Sequence, residues 1–218
     1  GQVLARKYEV VTHIGSAEEG ELYMLEEKET GIERSAKFFH PDFNRGNRSA
    51  KYYAKKLHKL RHCNVLMQYR TQETVKVKGT PVTFMVSDFV EGEMLQGFID
   101  SHPGKKLSPF EGLHLLRALA LGVEPMHRMN EYHGNVYEEN IMIRRKGLNF
   151  QIKLMDLCNI GATTNDLIKE DVVDMIRIFY NALGGSKTYS KQPQQIKNII
   201  CGLRRSLIKE KFRNAGAL

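Results

Sequence analysis

The chain has 218 residues, of which 41% are hydrophobic, and its formal net charge is +8. This length is sufficient for one large domain or two small lobes with a hydrophobic core. No apolar run approaches the roughly 18 residues of a membrane-spanning helix, and the first residues lack the apolar segment of a signal peptide. Cys63, Cys158 and Cys201 are too far apart to form the C-x-x-C pairs of a zinc site. We therefore expect a cytoplasmic protein, or a cytoplasmic domain of a longer protein, without a membrane span in this sequence.

The positive charge is distributed unevenly. No acidic residue lies between Asp42 and Glu73, although this segment contains many basic residues, namely Arg45, Arg48, Lys51, Lys55, Lys56, Lys59, Arg61 and Arg70. Such a segment indicates either a solvated helix face or a surface for nucleic acid or anionic lipid. We favour the solvated face, because aromatic residues do not alternate regularly with the basic ones to stack bases.

The first part of the chain has the pattern of short strands. Strands are predicted over 8–14, 21–26, 31–39, 66–69 and 81–87. The first two flank the polar turn from Gly15 to Gly20, and the third contains Ala36-Lys37. Apolar side chains at helical spacing then predict a helix over 47–61 with a buried face made of Ala50, Tyr53, Leu57 and Leu60.

The second part of the chain has helical patterns. Ser108 is followed by Pro109 and, three positions after the serine, by Glu111, which is the pattern of a capped helix start. The buried stripe of this helix is predicted to contain Leu113, Leu116, Ala120, Val123 and Met126. Further helices are predicted over 170–185 and within 194–218.

A polar loop between two apolar segments carries the best candidate site. The loop runs from His133 to Asn140 and contains Asn135, five positions before Asn140. The apolar segment that follows, Ile152-Lys153-Leu154-Met155, ends at the carboxylate of Asp156.

These segments, in this order, resemble the eukaryotic-type protein kinases, and the bacterial serine/threonine branch in particular. The loop and Asp156 are similar to H-[RG]-D-x-x-x-x-N followed by a strand and D-F-G. The turn from Gly15 is similar to the glycine-rich hairpin, Ala36-Lys37 to V-A-[IV]-K, the segment after Ser87 to the hinge, and 170–185 to helix F. The resemblance covers about 8–218.

The resemblance implies an α+β, two-lobed protein-kinase-like fold. Residues 1–92 would form a small N-lobe, with a five-stranded antiparallel sheet and one helix, together with the hinge. Residues 93–218 would form a mostly helical, truncated C-lobe. Asp171 would be the buried aspartate of helix F that accepts hydrogen bonds from the backbone of the loop.

The resemblance also implies a site for ATP and magnesium. The implied nucleotide-binding residues are Gly15, Gly20, Lys37, Asp88, Val90, Asn140 and Asp156. Lys37 would contact the phosphates, and backbone groups near Asp88 and Val90 would contact the adenine. Asn140 and Asp156 would ligate the metal.

Several residues depart from the family pattern. Asn135 stands at the position of the catalytic-base aspartate, and an amide cannot accept a proton. Glu18 and Glu19 at the hairpin tip are expected to repel a triphosphate. Tyr53 stands where the family has the helix acid that pairs with the strand lysine, so we expect this helix to be held by packing.

Three further departures concern the loop and its surroundings. Tyr137 replaces the loop lysine, and Cys158 replaces the glycine of D-F-G. Asp156 and Asp171 are only fifteen positions apart, which leaves no room for the usual activation segment.

Together, these features favour a pseudokinase, meaning a kinase-like domain that regulates or scaffolds through a protein partner and binds nucleotide weakly or not at all. The first alternative is an atypical ATP-dependent phosphotransferase with residual activity on a protein or a small molecule. The second is a basic adaptor for nucleic acid or anionic lipid.

Overall fold

A computed structural model describes residues 2–17, 19–89, 91–157 and 162–218. Their contacts divide into two units. The first comprises residues 1–61 and 66–90, and the second comprises residues 62–65 and 91–218. No helix among the described residues combines the length and the apolar character needed to cross a membrane.

The first unit is built on an antiparallel sheet with the strand order β1-β2-β3-β4-β6-β5. The strands are β1 (Val3–Leu4), β2 (Tyr8–Ala17), β3 (Gly20–Glu27), β4 (Glu33–Phe39), β5 (Tyr69–Val77) and β6 (Thr80–Asp88). Besides the five strands expected, the sheet includes the short β1, which pairs with the start of β2. Phe38 and Phe84 stack against each other at 4.6 Å between ring centres.

One strand of this sheet lies later in the sequence than predicted. The prediction placed a strand at 66–69, but β5 begins at Tyr69 and continues through the polar residues to Val77. The polar sequence is tolerated because β5 is the last strand of the sheet, where one edge and much of its surface face solvent. Leu66, by contrast, is buried and precedes the strand.

The helix of the first unit is α1 (Arg48–Lys59), within the predicted range. Its predicted buried face is confirmed, since Ala50, Tyr53, Leu57 and the following Leu60 are all buried. Tyr52, beside Tyr53 in the sequence, is 46% exposed.

The second unit is mostly helical. Its helices are α2 (Leu95–Asp100), α3 (Pro109–Arg128), α4 (Asn165–Ala182), α5 (Ser186–Tyr189), α6 (Gln194–Ile200) and α7 (Arg205–Lys211). A small antiparallel sheet is formed by β7 (Glu93–Met94), β8 (Ile141–Lys146) and β9 (Asn149–Leu154). The predicted capping box of α3 is confirmed, with reciprocal hydrogen bonds between Ser108 and Glu111.

The buried face of α3 differs from the prediction. Leu113 is 40% exposed, whereas Leu115 and Leu119 are fully buried. The helix carries apolar residues on several sides, so their spacing alone does not identify the face that packs on α4. Leu116, Val123 and Met126 are buried as predicted.

Candidate functional site

The loop between α3 and β8 is fixed by the fully buried carboxylate of Asp171 on α4. One carboxylate oxygen accepts a hydrogen bond from the backbone N–H of His133 at 2.7 Å, and the other accepts one from Gly134 at 2.8 Å. Gly134 has a φ of +82°, which glycine adopts without a Cβ penalty. The prediction that Asp171 binds the loop backbone is therefore confirmed.

His127, near the end of α3, extends this arrangement. The backbone N–H of Ala215 donates to Nδ1 of His127 at 3.0 Å, so Nδ1 is unprotonated. The proton is then on Nε2, which donates to Asp171 at 3.0 Å. A neutral imidazole thus connects the C-terminal turn to the residue that holds the loop. Sequence reasoning did not identify His127, because its partners are 44 and 88 positions away.

Asn135 is oriented toward Asp156. Its side-chain nitrogen donates to the backbone oxygen of Asp156 at 2.8 Å and to the carboxylate oxygen Oδ2 at 3.2 Å. Asp156 has a φ of +55°, in the left-handed region. The residue at the catalytic-base position therefore acts as a hydrogen-bond donor to the residue predicted to bind metal.

Asn140 closes the loop onto the strands. Its side-chain nitrogen donates to the backbone oxygen of Asn135 at 3.2 Å. Its backbone oxygen accepts from Met155, directly before Asp156, at 2.8 Å. The structure thus brings together three of the predicted site residues, Asn135, Asn140 and Asp156, in the second unit.

Lys37 lies on β4 in the first unit. Its ammonium group forms an ion pair with Glu19 at 3.3 Å and lies 4.8 Å from the centre of the Tyr53 ring. Only 11% of the lysine side chain and 22% of the glutamate side chain are exposed. A carboxylate from the predicted glycine-rich turn therefore pairs with this lysine, and the helix contributes an aromatic ring in place of an acid.

The two glycines predicted to approach phosphates have different surroundings. A Cβ added to Gly20 would lie 2.0 Å from the carbonyl oxygen of Phe38 on the neighbouring strand, so the packing of β3 on β4 already requires glycine. A Cβ added to Gly15 would meet no atom within 4 Å. The strands of this hairpin remain paired as far as Ala17 and Gly20.

Glu21 stabilises the same hairpin. It accepts a hydrogen bond from the hydroxyl of Ser16 at 2.6 Å and contacts Nε2 of His13 at 2.8 Å. The serine first, and the histidine second, hold the pKa of Glu21 below its ordinary value. The hairpin therefore carries a hydrogen-bond network between its own two strands.

Asp88 ends β6 at the predicted hinge. Its carboxylate accepts hydrogen bonds from Arg34 at 2.7 Å and from Arg70 at 2.8 Å. The predictions for Glu18, Val90 and Cys158 lie outside the described residues.

The predicted metal ligands, Asn140 and Asp156, can be compared with the atoms that the structure places around them. Magnesium requires oxygen ligands in near-octahedral geometry, whereas the group of Asn135 that faces Asp156 is an N–H donor. No cluster of three or more His, Cys, Asp or Glu side chains suited to a metal occurs in the described part of the chain. The carboxylate of Asp156 and the amide oxygen of Asn140 are oxygen donors of the kind that magnesium takes, and their ligation of a metal ion stays a prediction.

Comparisons with known proteins agree with the motif order. The sequence model of the protein kinase domain family matches residues 8–176 of this chain. Serine/threonine-protein kinase pkn2 of Myxococcus xanthus is 27% identical over 158 residues, which cover 71% of this chain and 18% of that protein. The chain thus spans less than a fifth of the length of this relative. The first unit is rich in β-strands and the second is mostly helical. Because the family model also matches most of its length, the chain belongs to the protein kinase domain family.

Proposed function

We propose that this chain is a catalytically impaired protein-kinase-like domain that acts in regulation or scaffolding by binding a protein partner. The observation that carries the proposal is the contact between Asn135 and Asp156. At the position where the family has a catalytic-base carboxylate, this chain has an amide that donates a hydrogen bond to Asp156.

The chemistry of an amide supports this proposal. In phosphoryl transfer, the base orients the attacking hydroxyl and accepts its proton, and an amide nitrogen has no basic lone pair for this task. Loss of a general base typically costs about 10²–10⁴ in rate. Asn135 instead contributes two hydrogen bonds that position Asp156.

We further propose that nucleotide binding is weak or absent. The carboxylate of Glu19 forms an ion pair with Lys37, the lysine that would contact the phosphates. A triphosphate would have to displace this carboxylate or accept a like charge beside it. The amide of Asn135 likewise offers Asp156 a hydrogen bond where the family uses a metal ion.

An atypical phosphotransferase is the second candidate. It is favoured by the retention of Lys37, Asn140 and Asp156, and by the similarity to a protein named as a serine/threonine kinase. The short stretch between Asp156 and the start of α4 at Asn165 argues against a protein substrate bound in the usual manner, because the peptide-docking segment of the family does not fit there.

The decisive experiment is a phosphoryl-transfer assay with radiolabelled ATP and magnesium. The purified chain is compared with its Lys37→Ala variant, using the chain itself, a mixture of basic and acidic protein substrates, and small-molecule alcohols as acceptors. We expect no transfer that depends on Lys37. Transfer by the wild-type chain that disappears in Lys37→Ala would overturn the first proposal and establish the second.

A further inference from the structure

The second unit contains a cavity of about 610 Å³ away from the loop and Asp156. Its walls come from the segment before α3, the first turn of α3, the end of α4, and α5 with the turn that follows it. Leu107 donates its backbone N–H to Ala182 at 2.7 Å, and the hydroxyl of Thr188 donates to Leu183 at 2.6 Å. These hydrogen bonds connect the walls of the cavity to one another.

The floor of the cavity is apolar and its rim is cationic. Leu107 and Leu183 are each 2% exposed and line the cavity together with three prolines. The exposed rim carries the ammonium groups of Lys106, Lys187 and Lys191. Within the described residues, none of these three groups pairs with a carboxylate. An occupant with an apolar part and several negative charges would complement both regions.

Among the lining residues that the structure describes there is one acid, Glu111, and it does not neutralise this rim. Glu111 accepts hydrogen bonds from the hydroxyl of Ser108 at 2.9 Å and from its backbone N–H at 3.2 Å. Its other oxygen pairs with Arg145 at 3.1 Å. The Ser108 hydrogen bonds, followed by the nearby cations, hold the pKa of Glu111 below its ordinary value. The carboxylate is therefore committed to the capping box of α3.

We propose that this cavity docks an acidic peptide segment of a partner protein, with an apolar side chain on the floor and flanking carboxylates on the three lysines. A single-stranded nucleic acid is less suitable, because no Phe, Tyr or Trp of the described ranges lines the cavity to stack a base. The buried side-chain oxygen of Gln192 accepts no hydrogen bond within the described residues. A peptide backbone supplies N–H donors for such an acceptor, and a phosphodiester does not.

This inference names a partner class for the scaffolding role proposed above and rests on that role. Its test measures peptide binding without nucleotide. Phosphoryl transfer by the chain would overturn the proposed function and leave the docking result standing. Failure of docking would leave the proposal about Asn135 intact.

The probe is a fluorescein-labelled peptide with a leucine between short runs of aspartate and glutamate, and binding is followed by fluorescence anisotropy. A second peptide replaces the acids with asparagine and glutamine, and a third replaces the leucine with serine. We expect saturable binding of the first peptide, weakening as salt screens the charges, and weaker binding of the other two. Absence of saturable binding by the wild-type chain would overturn the proposal.

The site is tested with a triple variant, Lys106→Glu, Lys187→Glu and Lys191→Glu. Exposed ion pairs are worth up to about 1 kcal/mol each, so we expect Kd to increase about tenfold or more. All three lysines are exposed, so the fold is expected to be retained, which circular dichroism verifies.

A matched control changes the net charge equally at exposed lysines that do not line the cavity, namely Lys28→Glu, Lys76→Glu and Lys78→Glu. We expect this control to change Kd less than about twofold, because a charge outside the site is screened by salt. Equal losses in the two triple variants would overturn the proposal, because the attraction would then follow net charge alone. Tighter binding of a single-stranded oligonucleotide at the same three lysines would also overturn it.

Discussion

The ammonium group of Lys37 lies 4.8 Å from the centre of the Tyr53 ring, with a second aromatic ring, that of Phe39, at 5.6 Å. In the protein kinase family the equivalent helix position carries an acid that pairs with this lysine. Here the helix supplies a π face, which attracts a cation by about 0.5–2 kcal/mol depending on desolvation. A carboxylate that pairs with Lys37, that of Glu19, comes from the neighbouring hairpin.

Tyr53 should therefore be important for stability. Tyr53 is 6% exposed, and its ring packs against that of Phe39 at 6.1 Å between ring centres. We expect Tyr53→Ala to lower the free energy of unfolding by about 3–5 kcal/mol, the range for a buried aromatic residue. Urea denaturation measures the change. The matched control is Tyr52→Ala, since Tyr52 is 46% exposed and should change stability by less than about 0.5 kcal/mol. Equal effects would contradict the packing role.

The ion pair between Glu19 and Lys37 predicts a gain of nucleotide affinity on charge removal. In Glu19→Gln the like charge that a triphosphate would meet is absent. We expect a larger thermal shift with ATP and magnesium than in the wild-type chain, equivalent to roughly five- to tenfold in affinity for one screened charge. Glu26→Gln, on the exposed part of the next strand, is the control and should behave as wild type. An unchanged shift in Glu19→Gln would argue against a role for this pair in excluding nucleotide.

Restoring an aspartate at Asn135 should destabilise the chain. The amide nitrogen lies 3.2 Å from Oδ2 of Asp156, so a carboxylate there would place two negative charges in contact. Such a pair raises the pKa of one member, and stability is then lost as the pH rises through that pKa. We expect the melting temperature of Asn135→Asp to be lower than that of Asn135→Ala at pH 7. The two melting temperatures should approach each other at about pH 4, where the added carboxyl group is protonated. Because Glu19 still pairs with Lys37, we expect no phosphoryl transfer from Asn135→Asp. A variant as stable as wild type at pH 7 would contradict this geometry.

Asp171 provides a test of the loop anchor. It accepts from two backbone N–H groups and from His127 without solvent contact. Asn at this position would direct an N–H group at another N–H group, at a cost of about 3–5 kcal/mol in unfolding free energy. The control is Asp166→Asn, because the Asp166 side chain is 70% exposed and its ion pair with Lys209 is worth less than about 1 kcal/mol. Chemical denaturation of both variants gives the comparison, and equal losses would exclude a special role for Asp171.

Asp174, one turn after Asp171 on α4, predicts a pH dependence. Burial raises the pKa of Asp174 to about 6, with Asp171 and Glu170 adding to the effect and Arg177 opposing it. The folded chain then binds the proton more tightly than the unfolded chain, so this residue reduces stability as the pH rises from about 4 to about 6. Asp174→Asn should remove that slope and stabilise the chain at pH 7.

The expected gain for Asp174→Asn is about 1–2 kcal/mol, less than the full shift because the substitution also removes the ion pair between Asp174 and Arg177. Thermal melts across this pH range measure it. Asp100→Asn, at an exposed aspartate, should leave the slope unchanged. The prediction would be contradicted if the stability of the wild-type chain rose from pH 4 to pH 6 and the stability of Asp174→Asn rose by the same amount.

Local sequence patterns were sufficient to predict most of the helices and strands. The spacing of Ala50, Tyr53 and Leu57 predicted the buried face of α1, and Ser108 with Glu111 predicted the start of α3. Both features depend on residues within a few positions of one another. The order of the motifs also identified the family and assigned Asp171 to the loop.

The partners of the site residues were decided by the tertiary structure. Glu19 reaches Lys37 across 18 positions, and Asn135 reaches Asp156 across 21, through strand register and loop closure that no local pattern encodes. For the same reason β5 could carry a polar sequence at a sheet edge, and the exposed side of α3 could include Leu113. The sequence alone determined which residue types stand at each position, because periodicity and capping are local. Only the folded chain decided which of those groups meet, because hydrogen bonds and ion pairs act over a few ångströms between residues that are distant along the chain.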